Sequence, residues 1–129
     1  MPLYSPSPAP LFHCLIRTHH ITSRKKLHRV RRFAEHLQLD WVLIRSGGCP
    51  GIMFAETRDE DALKEWVTSV QALRYKDFRC VAKPSPSVIS QLADGKDSAT
   101  WEETTSMQTF GERLEARGLG SWYKKLMFA

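Results

Sequence analysis

An α+β sandwich is the fold class this 129-residue sequence predicts, on three observations. Four short segments alternate apolar and polar residues with a period of two. Two longer segments change to a period near 3.6. The changes come in the order βαββαβ over residues 11–83, and a polar connection and a further helical segment follow. A hydrophobic fraction of 42% is enough for a packed core at this length.

The elements follow in chain order. Residues 1–10, "MPLYSPSPAP", hold four prolines and read as a disordered or extended lead-in. They lack the basic and apolar regions of a secretory signal. "LFHCLIRTH" (11–19) is a strand: Phe12, Cys14 and Ile16 share one parity, and His13, Leu15, Arg17 and His19 the other. Ser23 is an N-cap for the helix from Arg24 to Gln38. Leu27, Val30, Ala34 and Leu37 line one side of that helix. Lys25, Arg29, Arg32 and His36 line the opposite side at spacings of four, three and four. Burying the apolar side turns the basic stripe outward.

"WVLIR" (41–45) and "IMFAE" (52–56) form a hairpin around the turn "SGGCPG" (46–51). Residues 57–73 are a second helix with Asp59, Glu60 and Asp61 at its positive end, where the dipole favours acids. Leu63, Trp66, Val67, Val70 and Leu73 are its apolar face. "FRCVAK" (78–83) is the fourth strand. Residues 84–100 read as a connection, with a possible helical turn at 87–93. Residues 101–129 read as a helical segment packed on the core, mainly helix over 101–116, with Gly118 as a C-cap and a final turn carrying Trp122, Tyr123, Leu126 and Met127.

Right-handed crossovers turn this order into a ferredoxin-like sandwich: an antiparallel sheet of order 4-1-3-2 with both helices on one face. The other face then needs an occupant. With the Phe12 and Phe78 parities toward the helices, that face carries His13, Leu15, Arg17, Arg79, Val81 and Lys83. It would suit a nucleic acid, or a covering by the C-terminal segment.

Charge is unevenly spread. Residues 1–34 contain seven Arg or Lys and no acid, whereas the remaining 95 hold 12 basic and 14 acidic side chains. A concentrated excess of this kind is how a footprint for a polyanion looks, although a solvated helix face looks the same. Three cysteines at wide spacing argue against a disulfide framework and for a nuclear or cytoplasmic protein. No apolar run approaches the length of a membrane span.

Catalytic and metal readings fare poorly. Cys49 sits in a glycine-proline loop, but a phosphatase-type Cys-x5-Arg needs Arg where Ala55 stands. There is no P-loop or dinucleotide glycine pattern. His13, Cys14, His19, His20 and Cys80 could surround zinc only without any CxxC or HxxxH pairing. No cofactor, metal or enzymatic activity is expected. Of the adjacent His19 and His20, alternation predicts one ring buried and hydrogen-bonded and the other exposed.

Several motifs taken together carry a resemblance. "HHITSRKKLHRVRRFAEHLQLDW", the Pro-Gly turn, "EDALKEWVTSVQALRYKDF" and "TFGERLEARGLGSWY" resemble the C-terminal domain of the spliceosomal pre-mRNA-processing factor three, a domain also found in RWD-domain-containing proteins. The likeness spans residues 11–129. It implies a ferredoxin-like fold with helical additions and no enzymatic activity. In the splicing factor this domain grips a small nuclear RNA duplex and its single-stranded overhang. His19, His20, Ile21, Ser23 and Lys26 match the first motif, Pro50 and Gly51 the turn, and Glu65, Trp66, Leu73 and Lys76 the second helix and its exit. Cys49 replaces the usual lysine of the turn, Thr57 replaces a glycine, and Tyr75 replaces a tryptophan. With no RWD domain and no long N-terminal arm, the chain reads as a stand-alone domain.

The expectation is a non-catalytic RNA-binding module with a link to small nuclear RNA or splicing. Arg17, Arg24, Lys25, Lys26, Arg29, Arg32 and Lys76 would contact phosphates, which gives affinity without sequence choice. His19 and an exposed aromatic such as Tyr75 could add base stacking. His20, Ser23, Pro50, Gly51 and Trp66 would be structural. The alternative is a protein-interaction module that uses the open sheet face or the C-terminal helix.

Overall fold

The structure is a computed structural model and describes residues 10–88 and 101–128. Its elements are β1 (Phe12–Thr18), α1 (Arg24–His36), β2 (Trp41–Arg45), β3 (Gly51–Thr57), α2 (Glu60–Gln71), β4 (Arg79–Pro86), β5 (Trp101–Thr104), α3 (Met107–Ala116) and α4 (Gly120–Phe128). The five strands form one sheet of order β4-β1-β3-β2-β5. The order of the first four is the expected one. The sheet is mixed rather than purely antiparallel, because β5 runs parallel to β2 at the edge.

Residues 101–116 are mainly helix as expected, through α3, but they open on this edge strand rather than on helix. Trp101 to Thr104 pair with Val42 to Arg45, which satisfies an otherwise exposed edge. The signal for β5 is its partner's open backbone, and its own four residues do not show it. Helix begins only at Met107, where Ser106 accepts a hydrogen bond from Thr109 N at 3.0 Å. Residues 84–86 belong to β4, not to a connection. The suggested turn at 87–93 lies largely outside the described residues.

α1 starts as the sequence implies, with Ser23 Oγ accepting from Lys26 N at 3.2 Å. In α2 the cap is Asp59, which accepts from Ala62 N, and Glu60 and Asp61 fill the first turn. α3 ends at Ala116 with Arg117 rather than Gly118 as its C-cap, and Gly118 follows with a φ of +81° that suits a residue without Cβ. Gly118 N bonds to Glu115 O and Leu119 N to Leu114 O, the reciprocal closure of a Schellman motif. α1 closes in the same pattern through Gln38 and Leu39, with Gln38 in the left-handed region at φ +56°.

The sheet is filled on both faces. Cys14, Ile16, Val42, Ile44, Met53 and Ala55 pack against Leu27, Val30 and Ala34 of α1 and Leu63, Trp66 and Val70 of α2. Leu15, Leu43, Ile52 and Phe54 pack against Phe110 and Leu114 of α3 and Tyr123 of α4. The second cluster settles what occupies the other face. Among the described residues α3 and α4 cover its middle and His13 and Leu15 are buried, while Arg17, Arg79 and Lys83 stay exposed at its margin. The helices supply large apolar side chains that would otherwise face water, at about 1.5–3 kcal/mol each.

Candidate nucleic-acid interface

α1 presents three stripes. Its core stripe is Leu27, Val30 and Ala34. Directly opposite, Lys25, Arg29 and Arg32 are exposed, and among the described residues they have no hydrogen bond or ion pair. Offsets of four and seven residues nearly complete one and two turns, so the three cations stand within a narrow band.

The flanks of the helix are occupied. Arg24 binds Glu103 through Nη1 at 2.5 Å and Nη2 at 3.2 Å. That guanidinium holds the Glu103 carboxyl below its ordinary value, and a 2.9 Å bond from Ser46 Oγ helps. Lys26 Nζ lies 5.1 Å from the Tyr75 ring centroid and 3.4 Å from Arg74 O. Two of the expected phosphate ligands are thus partly engaged within the protein. Tyr75 is buried, and burial pushes its hydroxyl up to about 12. It cannot serve as an exposed stacking platform, because its ring packs on the α1–α2 core.

Between α1 and β5 runs a groove of 610 Å³ with Leu27 and Trp101 among its lining and Arg24, Lys25, His28, Arg29 and Arg31 around them. Arg31 Cζ sits 5.6 Å from the Trp101 ring centroid, and its Nε bonds to Glu35 Oε2. The contribution of Trp101 was not legible in the sequence, because nothing local marks β5 as the neighbour of α1.

The two densest motifs meet at one end of the sheet. β1 stops at Thr18, and residues 19–21 leave the strand. The alternation rule therefore fails for the histidine pair. His20 is exposed and His19 half-buried, while Ile21 takes the inward position. His19 N donates to Lys76 O at 2.8 Å, so Lys76 contributes its carbonyl while its side chain stays in solvent. The turn folds back onto this segment: Gly47 N donates to Ile21 O at 2.9 Å and Gly51 N to His19 O at 3.3 Å. Arg45 braces it from below through Pro50 O and Thr105 O, both at 3.0 Å. Cys49-Pro50 is a cis peptide.

Gly51 is required for this closure. A Cβ there would meet Thr18 Oγ1 at 2.4 Å, Ile21 Cγ1 at 2.6 Å and the His20 carbonyl carbon at 3.0 Å. We expect Gly51→Ala to cost roughly 3 kcal/mol, the upper part of the range for overpacking. Urea denaturation would check this, and a loss below about 0.5 kcal/mol, the level of an ordinary surface substitution, would show that the junction yields.

At the tip, Cys49 Sγ lies 3.8 Å from His19 Nδ1. Asp77 Oδ2 lies 3.6 Å from the same nitrogen. In a nucleophilic triad the acid and the nucleophile address opposite nitrogens of the imidazole. Here both share one, so the three residues do not form a triad. No group of three or more His, Cys, Asp or Glu among the described residues is arranged to hold a metal.

A buried polar cluster was not foreseen. His13 Nε2 and Glu56 Oε1, cross-strand partners on β1 and β3, are 2.9 Å apart. A carboxylate only accepts, so the imidazole nitrogen donates. Arg117, at the end of α3, bonds to the other oxygen of Glu56 and lies 4.7 Å over the Trp41 ring. Arg113 adds a bidentate pair to Glu102 at 2.9 and 2.7 Å. Trp41 Nε1 donates to the same carboxylate. Acids on strands and arginines on α3 thereby clamp the helix to the sheet.

Trp66, predicted structural, is fully buried and donates through Nε1 to Val30 O at 3.3 Å, tying α2 to α1. Arg17 is exposed at the end of β1 opposite Arg79 of β4. Among the described residues, no helix is long and apolar enough to cross a membrane. No protein-family model matches the sequence, and no curated protein matches it.

Proposed function

We propose that this chain is a non-catalytic RNA-binding module with a ferredoxin-like core, akin to the C-terminal domain of pre-mRNA-processing factor three, and linked to small nuclear RNA in the nucleus or cytoplasm. The observation that carries the reading is the outward stripe of Lys25, Arg29 and Arg32 on α1. These cations have no acidic partner among the described residues, and the helix beneath them is anchored by its buried face. A rigid row of unpaired cations suits a phosphate backbone. Arg17 and Lys76 are exposed and extend the positive surface at the sheet end. Arg24 and Lys26 play a lesser part, since each already has a partner.

The structure weakens the alternative of a protein module working through an open sheet face, because α3 and α4 fill that face. Most of their apolar side chains pack in the same contact, while Phe128 at the end of α4 stays exposed, so the C-terminal helix is the surface left to that alternative.

Three phosphate contacts should give a slope of roughly −2 to −3 for log affinity against log salt. Replacing Lys25, Arg29 and Arg32 together by Gln should flatten that slope and leave the thermal unfolding midpoint unchanged. The check is a binding panel with duplex, overhang and single-stranded RNA at two salt concentrations. No binding by the unaltered protein, or equal binding by the triple variant, would defeat the reading.

A further inference from the structure

We propose that the cleft between the ends of β1 and β4 and the 46–51 turn is a thiol-exchange site, at which Cys49 forms a mixed disulfide with an anionic small-molecule disulfide of the glutathione class. Arg17, Thr18, His19, Cys49, Asp77, Phe78 and Arg79 line a cleft of 420 Å³. That volume lies within the ~300–1,000 Å³ of small-molecule sites.

Three features converge there. Cys49 is the exposed thiol of the three; Cys14 is fully buried and Cys80 partly so, and burial pushes both of those thiols up. His19 Nδ1 lies 3.8 Å from Cys49 Sγ and 3.6 Å from Asp77 Oδ2, and in the tautomer with its hydrogen on Nε2 it is placed to take the thiol proton. Arg17 and Arg79 are cross-strand partners, both exposed and both without an ion pair among the described residues. Each glutathionyl half carries two carboxylates and one ammonium. Two guanidiniums and the exposed Asp77 carboxylate match that set in number and sign. The turn that carries Cys49 is pinned by Gly47, Gly51 and Arg45, so the thiol is held against His19 by the backbone.

The exchange balances without another reactant. His19 Nδ1 accepts the proton of Cys49, and Sγ attacks one sulfur of the disulfide. The sulfur–sulfur bond of the small molecule breaks as the Cys49 bond forms. The departing glutathione thiolate takes the proton from His19. One thiol is oxidised and one half of the disulfide is reduced. The product is a stable modification of the protein, so the step is compatible with a module that has no turnover.

The test uses the full chain, first reduced and then mixed with oxidised glutathione or with neutral 2-hydroxyethyl disulfide, followed by intact mass and peptide mapping. One adduct on Cys49 is expected, and none on Cys49→Ser. Arg17→Gln/Arg79→Gln should lower the rate ratio of the anionic to the neutral disulfide by roughly fivefold, the sum of two exposed ion pairs. Arg79→Gln alone, on the exposed edge strand, should lose about half of that effect in logarithmic terms. His19→Asn should slow both disulfides alike. An adduct mapped to Cys14 or Cys80, or an unchanged rate ratio in the arginine variants, would overturn the proposal. The readout needs no RNA, so it stands or falls apart from the binding reading above.

Discussion

Arg117→Ala is expected to destabilise the protein by about 3–5 kcal/mol, the cost of stripping one partner from a buried ion pair. Arg117 and Glu56 are buried to 14% and 3% side-chain exposure. Removing the guanidinium leaves the Glu56 carboxylate facing only His13 Nε2, and uncovers the face of Trp41. It also frees the end of α3 from the sheet. The exposed pair Arg113–Glu102 is the internal contrast. Arg113→Ala removes a bidentate bond of better geometry, yet at 49% exposure it should cost no more than about 1 kcal/mol. The double variant Glu56→Gln/Arg117→Met should recover much of the loss, because no unpaired buried charge remains. Urea midpoints for the four proteins decide it. Equal losses for the two single arginine variants would mean that burial does not govern this cluster.

Trp66→Ala should be comparably severe, at about 3–5 kcal/mol for emptying a large buried aromatic site. The indole fills the space between the two helices on one face of the sheet and donates to Val30 O, a carbonyl of α1. Its loss should therefore loosen α1 as well as α2. Trp66→Phe keeps most of the volume and drops the hydrogen bond, so it should cost less. Thermal unfolding followed by circular dichroism would rank the two. If the Ala variant unfolds within a few degrees of the original protein, the two helices are held by something other than this side chain. The same measurement also bears on the phosphate stripe. Lys25, Arg29 and Arg32 keep their alignment only while α1 stays seated, so weak RNA binding by a Trp66 variant should track its unfolded fraction.

Legibility differed from element to element for identifiable reasons. α1 could be read to its cap because everything that makes it is local. Ser23 precedes it, Leu27, Val30 and Ala34 recur on one side, and the cations take the other. β5 could not be read. "WEET" has no alternation of its own and is a strand only because β2 offers an unpaired edge. The histidine pair misled for a related reason. Adjacent side chains alternate only while the strand continues, and this strand ends at Thr18 so that the 46–51 turn can bond to residues 19 and 21. Tyr75 looked available because nothing nearby in sequence hides it; α1, about fifty residues earlier, does.

The sequence by itself determined the order of elements through the fourth strand, the central strand order and the direction in which the Lys25, Arg29 and Arg32 stripe points. Those depend on periodicity and on handedness, which act over a few residues or through general rules of chain connection. Only the tertiary structure decided the parallel fifth strand, the covering of the second sheet face, the burial of His13 with Glu56 and Arg117, and the meeting of Cys49 with His19, Arg17 and Arg79. Each of these joins residues far apart in the chain. Their contact energies exist only once the sheet has brought them together, and local pattern went no further than offering the C-terminal segment as one of two occupants of the second face.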